Sequence, residues 1–129
     1  MSSLDVMRCT ACHVGEPPLT RVQIEDYLPQ VPEWKLEKSN GSYRITRSFR
    51  LPDFAWALEF TNRIGTMAEK EGHHPSILTE WGRVTLSWWT HKIRGLHRND
   101  FIMAAKSEKV FRELGKAGPQ AAEPKPEIS

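Results

Sequence analysis

Ser39-Asn40-Gly41 interrupts two runs in which apolar and polar side chains alternate, Trp34 to Glu37 before it and Tyr43 to Phe49 after it. Alternation with a period of two puts one set of side chains on each face of a strand. Asn-Gly accepts the positive φ that a two-residue hairpin turn demands. The pattern predicts an antiparallel hairpin whose apolar face, with Trp34, Leu36, Ile45 and Phe49, must be covered from one side.

The remaining elements are read the same way. Thr20 is placed to cap a short helix carrying Val22, Ile24, Tyr27 and Leu28, and Pro29 and Pro32 end it. Pro52-Asp53 opens a long helix with Phe54, Ala57, Leu58, Thr61, Ile64, Met67 and Ala68 as its apolar stripe. Gly72 suits the left-handed position that stops such a helix, and Pro75 prevents its resumption. Ile77 to Trp81 reads as a third strand. Gly82 marks a turn, and Val84 onward alternates as a fourth strand ending near His91. Asn99-Asp100 leads into a last helix with Phe101, Ile102, Ala104, Ala105, Val110, Phe111 and Leu114. The expected fold class is α+β: a four-stranded antiparallel sheet with three helices on one face, in the order α-β-β-α-β-β-α. The sheet has two edges, which predicts a homo-oligomer.

With 129 residues, 39% of them hydrophobic, the chain supports one core rather than two. Three segments are expected: a flexible N-terminal arm at 1–19, one domain at 20–114, and a disordered tail at 115–129 rich in Gly, Pro, Ala, Lys and Glu. A net charge of +2 is not the basic excess of a dedicated nucleic-acid binder. Arg83, Lys92, Arg94 and Arg98 read as a solvated rim. No apolar run is long enough to span a bilayer, and the first residues lack the pattern of a signal peptide, so a cytoplasmic location is expected. Cys9-Thr10-Ala11-Cys12-His13 has the spacing of a c-type haem attachment motif, which needs export. Half of a zinc site, a redox dithiol and a reduced pair in the arm are the other readings.

The chemistry is concentrated in histidines. His73 and His74 fall where the long helix gives way to the third strand, and proline at 75 pushes His74 out of helical geometry. His91 is expected at the end of the paired fourth strand, so all three imidazoles reach one end of the sheet. Asp100 and Glu69 are placed to orient them. Histidine takes and gives protons near neutral pH, so this grouping suits proton transfer. Metal binding is disfavoured, because adjacent side chains on an extended chain point opposite ways. Trp34, Trp81, Trp88 and Trp89 read as core or interface aromatics, of which one or two could wall a flat ligand.

Glu69-Lys70-Glu71-Gly72-His73-His74-Pro75, then Trp81, Val84 through Thr90-His91, Gly95-Leu96 and Asp100, resembles the pterin-4a-carbinolamine dehydratases over roughly residues 17 to 112. The Cys9-x-x-Cys12 arm with Pro17-Pro18-Leu19 is similar to bacterial members. The resemblance implies a helix-covered sheet, dimers joined edge to edge, dimers of dimers, and dehydration of 4a-hydroxytetrahydropterin to quinonoid dihydropterin. It implies no metal and no organic cofactor, with the pterin as substrate. His73 and His91 would donate and accept protons, and His74 would hold the pterin and share that work. Glu69 and Asp100 would sit behind the rings, and Trp34 and Trp81 would lie near the pocket. Gly72, Ser76 and His97 depart from residues common in the family. The same fold also implies non-catalytic alternatives: a transcriptional coactivator in animals, and a RuBisCO assembly factor or chaperone of the α-carboxysome, which would make RuBisCO large subunit a partner.

Overall fold

The computed structural model describes residues 4–9 and 16–117. Its elements follow the order α1 (Arg21–Tyr27), β1 (Lys35–Ser39), β2 (Ser42–Arg50), α2 (Phe54–Glu71), β3 (Ser76–Glu80), β4 (Arg83–Trp88) and α3 (Arg98–Ala117), with short 3₁₀ turns between some of them. The sheet is antiparallel throughout, in the spatial order β1-β2-β4-β3. The α+β fold class and its element order are therefore as expected.

Local chemistry accounts for the boundaries. Asn40 and Gly41 both hold positive φ, 52° and 81°, as a two-residue hairpin requires. Thr20 and Gln23 form a reciprocal capping box at the start of α1: Thr20 Oγ1 accepts from Gln23 N, and Gln23 Oε1 accepts from Thr20 N. Asp53 Oδ1 accepts from Trp56 N and starts α2. Gly72 ends α2 in the left-handed conformation, φ 65°.

Ile45 and Phe49 of β2 and Val84, Leu86 and Trp88 of β4 are fully buried under the helices. The facing stripe of α2 is Ala57, Phe60, Ile64 and Ala68. It differs from the expected stripe, because Phe60 fills the centre against Phe49 while Phe54 and Leu58 remain exposed. α3 contributes Phe101, Ile102, Met103, Ala104 and Leu114 to the same core. Within this apolar layer lie Arg47 and Glu108, joined at 2.8 Å, so neither charge is left alone.

Three other differences matter. β4 stops at Trp88, and the chain does not run on as strand to His91. Instead Thr90 and Gly95 exchange backbone hydrogen bonds around a 3₁₀ turn at His91–Ile93, anchored by buried Ile93. Leu4, in the stretch expected to be an arm, is buried, and the Leu4–Val6 turn lies against α3. α3 itself continues past residue 114 to Ala117. Cys12, His13 and residues 118–129 lie outside the described residues. No helix among the described residues is long and apolar enough to cross a membrane.

Candidate active site

Asp100 organises one end of the sheet. It stands in the first turn of α3 and is fully buried. Its Oδ2 accepts from Thr90 Oγ1 and from His97 N, both at 2.9 Å, and its Oδ1 faces His73 Nε2 at 2.6 Å. Since both carboxylate oxygens accept, Nε2 of His73 carries the hydrogen and Nδ1 is left for other chemistry. The imidazole also stacks on Trp88, with centroids 5.8 Å apart and planes 7° apart. Trp88 in turn donates from Nε1 to Ser107 Oγ. His73, with a side chain 11% exposed, is thus oriented by a buried acid and a buried ring.

His74 is built differently. Its Nε2 faces Glu69 Oε1, which reaches up from the last turn of α2, but both side chains are well exposed, 60% and 77%. Such a pair contributes little to stability. It still turns one ring nitrogen to a carboxylate, as His73 does.

His91 opens the 3₁₀ turn next to Thr90. Its ring rests on Trp89, centroids 4.5 Å apart, and Arg44 lies over the same indole at 4.0 Å. The shared end of the sheet therefore carries His73, His74 and His91 with Glu69 and Asp100, and each imidazole has its own support.

The two other expected residues are elsewhere. β3 and β4 pair Ser76 with Ser87 near the histidines and Glu80 with Arg83 at the far end. Trp81 sits in the turn beyond Glu80, 70% exposed. That is more than roughly 13 Å along the strand from Ser76, at about 3.3 Å per residue. Trp34 precedes β1, which β2 separates from β4. It is buried edge-on against Phe49 and donates to Glu108 Oε2, which also accepts from Arg47. Trp34 is core, and the hydrogen bond of its indole explains why it tolerates burial there.

Thr90 and His97 join the site without having been singled out for it, and so does Trp88, one of the four tryptophans expected as core or interface aromatics, of which one or two could wall a flat ligand. His97 caps α3 in place of the usual hydroxyl: its Nδ1 accepts from Asn99 N, and its Nε2 faces Glu16 Oε2 at 3.0 Å. An accepting Nδ1 fixes the neutral tautomer with hydrogen on Nε2, which Glu16 receives. The one sequence signal for Thr90 was its place directly before His91.

Cys9 stands behind this network. Its N donates to Glu71 Oε1, and its thiol faces the Asn99 carbonyl. Burial first, and then the Glu71 carboxylate, push the thiol up to about 12. Such a thiol is protonated at neutral pH and is a poor nucleophile. Among the described residues no group of three His, Cys, Asp or Glu side chains is placed to hold a metal ion.

Known proteins resemble this chain in sequence and fold. Residues 17–110 match the family model described as pterin 4 alpha carbinolamine dehydratase. A protein of Syntrophotalea carbinolica, provisionally named pterin-4-alpha-carbinolamine dehydratase, is 52% identical over 86% of this chain and 99% of its own. A Gloeobacter violaceus protein of the same provisional name is 50% identical over 88% of this chain and 97% of its own. The crystal structure of a transcriptional coactivator/pterin dehydratase from Brucella melitensis superposes with a TM-score of 0.65 at 32% identity, over 72% of this chain and 97% of that one. A pterin dehydratase-like protein identified as a RuBisCO assembly factor in the alpha-carboxysome shares the fold, with a TM-score of 0.52 at 15% identity over 60% of this chain and 88% of that one. By the match of sequence and fold, the chain belongs to the pterin-4-alpha-carbinolamine dehydratase family.

Proposed function

We propose that this protein is a 4a-hydroxytetrahydropterin dehydratase that uses His73, His74 and His91 as its acid–base groups and no metal or organic cofactor. The observation that carries this is the His73–Asp100–Thr90 network. A buried acid holds one imidazole in a single tautomer, at the sheet end that also bears His74 and His91. Dehydration requires a proton on the departing 4a-oxygen and loss of a proton from a ring nitrogen, so that water leaves as a C=N bond forms. Two imidazoles of opposite protonation supply both transfers, and positioned acid–base groups contribute about a hundred- to ten-thousandfold. In this reading His73 and His91 exchange the protons, and His74 holds the pterin and shares the work. A role as RuBisCO assembly factor has only the distant fold likeness behind it.

The deciding experiment is the dehydration assay on His74→Ala, with fold checked by circular dichroism. Turnover is expected to be lost, and unchanged turnover would remove the site assignment. We also propose a homo-oligomer joined through β3. That edge strand exposes Leu78 beside Trp81, whereas β1 guards its edge with Lys35, Glu37 and Lys38. Light scattering at micromolar concentration should exceed the monomer mass of 14.8 kDa.

A further inference from the structure

Trp88 and Trp89 are neighbours in the chain and point to opposite faces of the sheet. Trp88 pairs with Ile45 in the core, so Trp89 falls beside Arg44 on the face away from the helices. The guanidinium carbon of Arg44 lies 4.0 Å from the indole centroid. Arg44 Nε is shielded from solvent and has no hydrogen-bond partner among the described residues. The indole face lies under the guanidinium instead, in a cation–π contact. The arginine therefore clamps the indole.

His91 contacts the same ring at 4.5 Å and 42°. Its backbone is held by the turn, where Arg94 N donates to the His91 carbonyl and Ile93 is buried. Its imidazole, by contrast, receives no hydrogen bond from the described residues. The side-chain torsions of His91 are thus left to the indole contact, on a side chain that is otherwise exposed.

We propose that Trp89, braced by Arg44, is the positioning residue for the His91 imidazole; this rests on the acid–base role given to His91 above. Trp89 does not touch the reacting atoms. It acts by confining the ring whose nitrogen must meet the pterin, and a misplacement of about 1 Å costs up to a hundredfold in rate.

The test combines NMR of the His91 Hε1–Cε1 resonance, assigned by its loss in His91→Gln, with kinetics of 4a-hydroxytetrahydropterin dehydration. The indole ring current should displace that resonance in the native protein. Trp89→Ala should return it to the position of a free imidazole and lower kcat by about tenfold or more, with KM changed by less than about twofold. Trp89→Phe, which keeps an aromatic face, should restore most of both. Arg44→Met should weaken the clamp and lower kcat by about threefold, with Arg44→Lys nearer to native. A resonance unmoved in Trp89→Ala overturns the proposal, whatever happens to kcat. Full turnover in His91→Gln would instead overturn the acid–base role of His91, and with it the catalytic meaning of the clamp, even where the resonance shift is present.

Discussion

The two faces of the sheet at the end of β4 support their histidines by different physics. On the helix side, His73 stacks on a fully buried Trp88 and meets a fully buried Asp100 that accepts from three donors. On the open side, His91 leans on Trp89, and a cation rather than an acid completes the stack. The first imidazole is fixed by hydrogen bonds that leave no alternative tautomer. The second is placed by contact with an indole face.

The most direct way to break the comparison is to remove each indole in turn. Trp88→Ala should cost about 3–5 kcal/mol in chemical denaturation, because a fully buried ring leaves a cavity in the core. Trp89→Ala should cost about 1 kcal/mol, typical of a point change, because the ring is only partly buried. Equal costs would contradict the distinction between the two faces. An effect between these two comes from Asp100→Asn. The amide cannot accept on both sides, so a donor is left unmatched and about 1–3 kcal/mol of stability goes with it. Dehydration should fall about a hundredfold. The His91 resonance should move less than in Trp89→Ala, since Asp100 reaches that turn only through the Thr90 hydroxyl.

How much of this was legible in the sequence follows the same division. Asn40-Gly41, the Thr20 cap and Gly72 report local backbone needs, and each element boundary they mark stands where it was read. The pairing of Asp100 and Glu69 with the histidines was also readable, because cap positions and helix ends bring them to the same loops. Trp81 was not. A period of two tells which face a residue takes, but only the hairpin register tells which end of the sheet it occupies. The end of β4 was misplaced for a related reason. Trp89, Thr90 and His91 continue the alternation in letters, while the buried Ile93 and the Thr90–Gly95 bridge bend the chain into a turn. Phe60 was passed over because two apolar stripes are drawn on α2, and only packing against Phe49 selects one.

The turn that carries His91 holds a residue of the wrong type for its geometry. Arg94 sits at φ 53°, in the left-handed region where a side chain costs roughly 1 kcal/mol. Arg94→Gly should therefore stabilise the protein by up to about 1 kcal/mol, read as a rise in the denaturation midpoint at constant m-value. A loss of stability would show that the arginine side chain makes a contribution larger than its backbone cost.

The smallest expected effect lies on the closed side. Cys9, whose thiol is pushed up to about 12, faces the carbonyl of Asn99 behind Asp100. Because its folded-state value lies above the ordinary 9.0, the stability linked to this thiol is fully present below about pH 9 and is lost as pH rises toward about 12. In a Cys12→Ser background, Cys9→Ser should leave stability near neutral pH little changed and flatten the decline between those two values. Iodoacetamide at pH 8 should modify Cys9 more slowly than an unstructured thiol, since thiolate is the reacting form. Rapid alkylation of the folded protein would mean that this wall of the site opens, and that the rigid support assigned to His73 does not extend to the segment behind it.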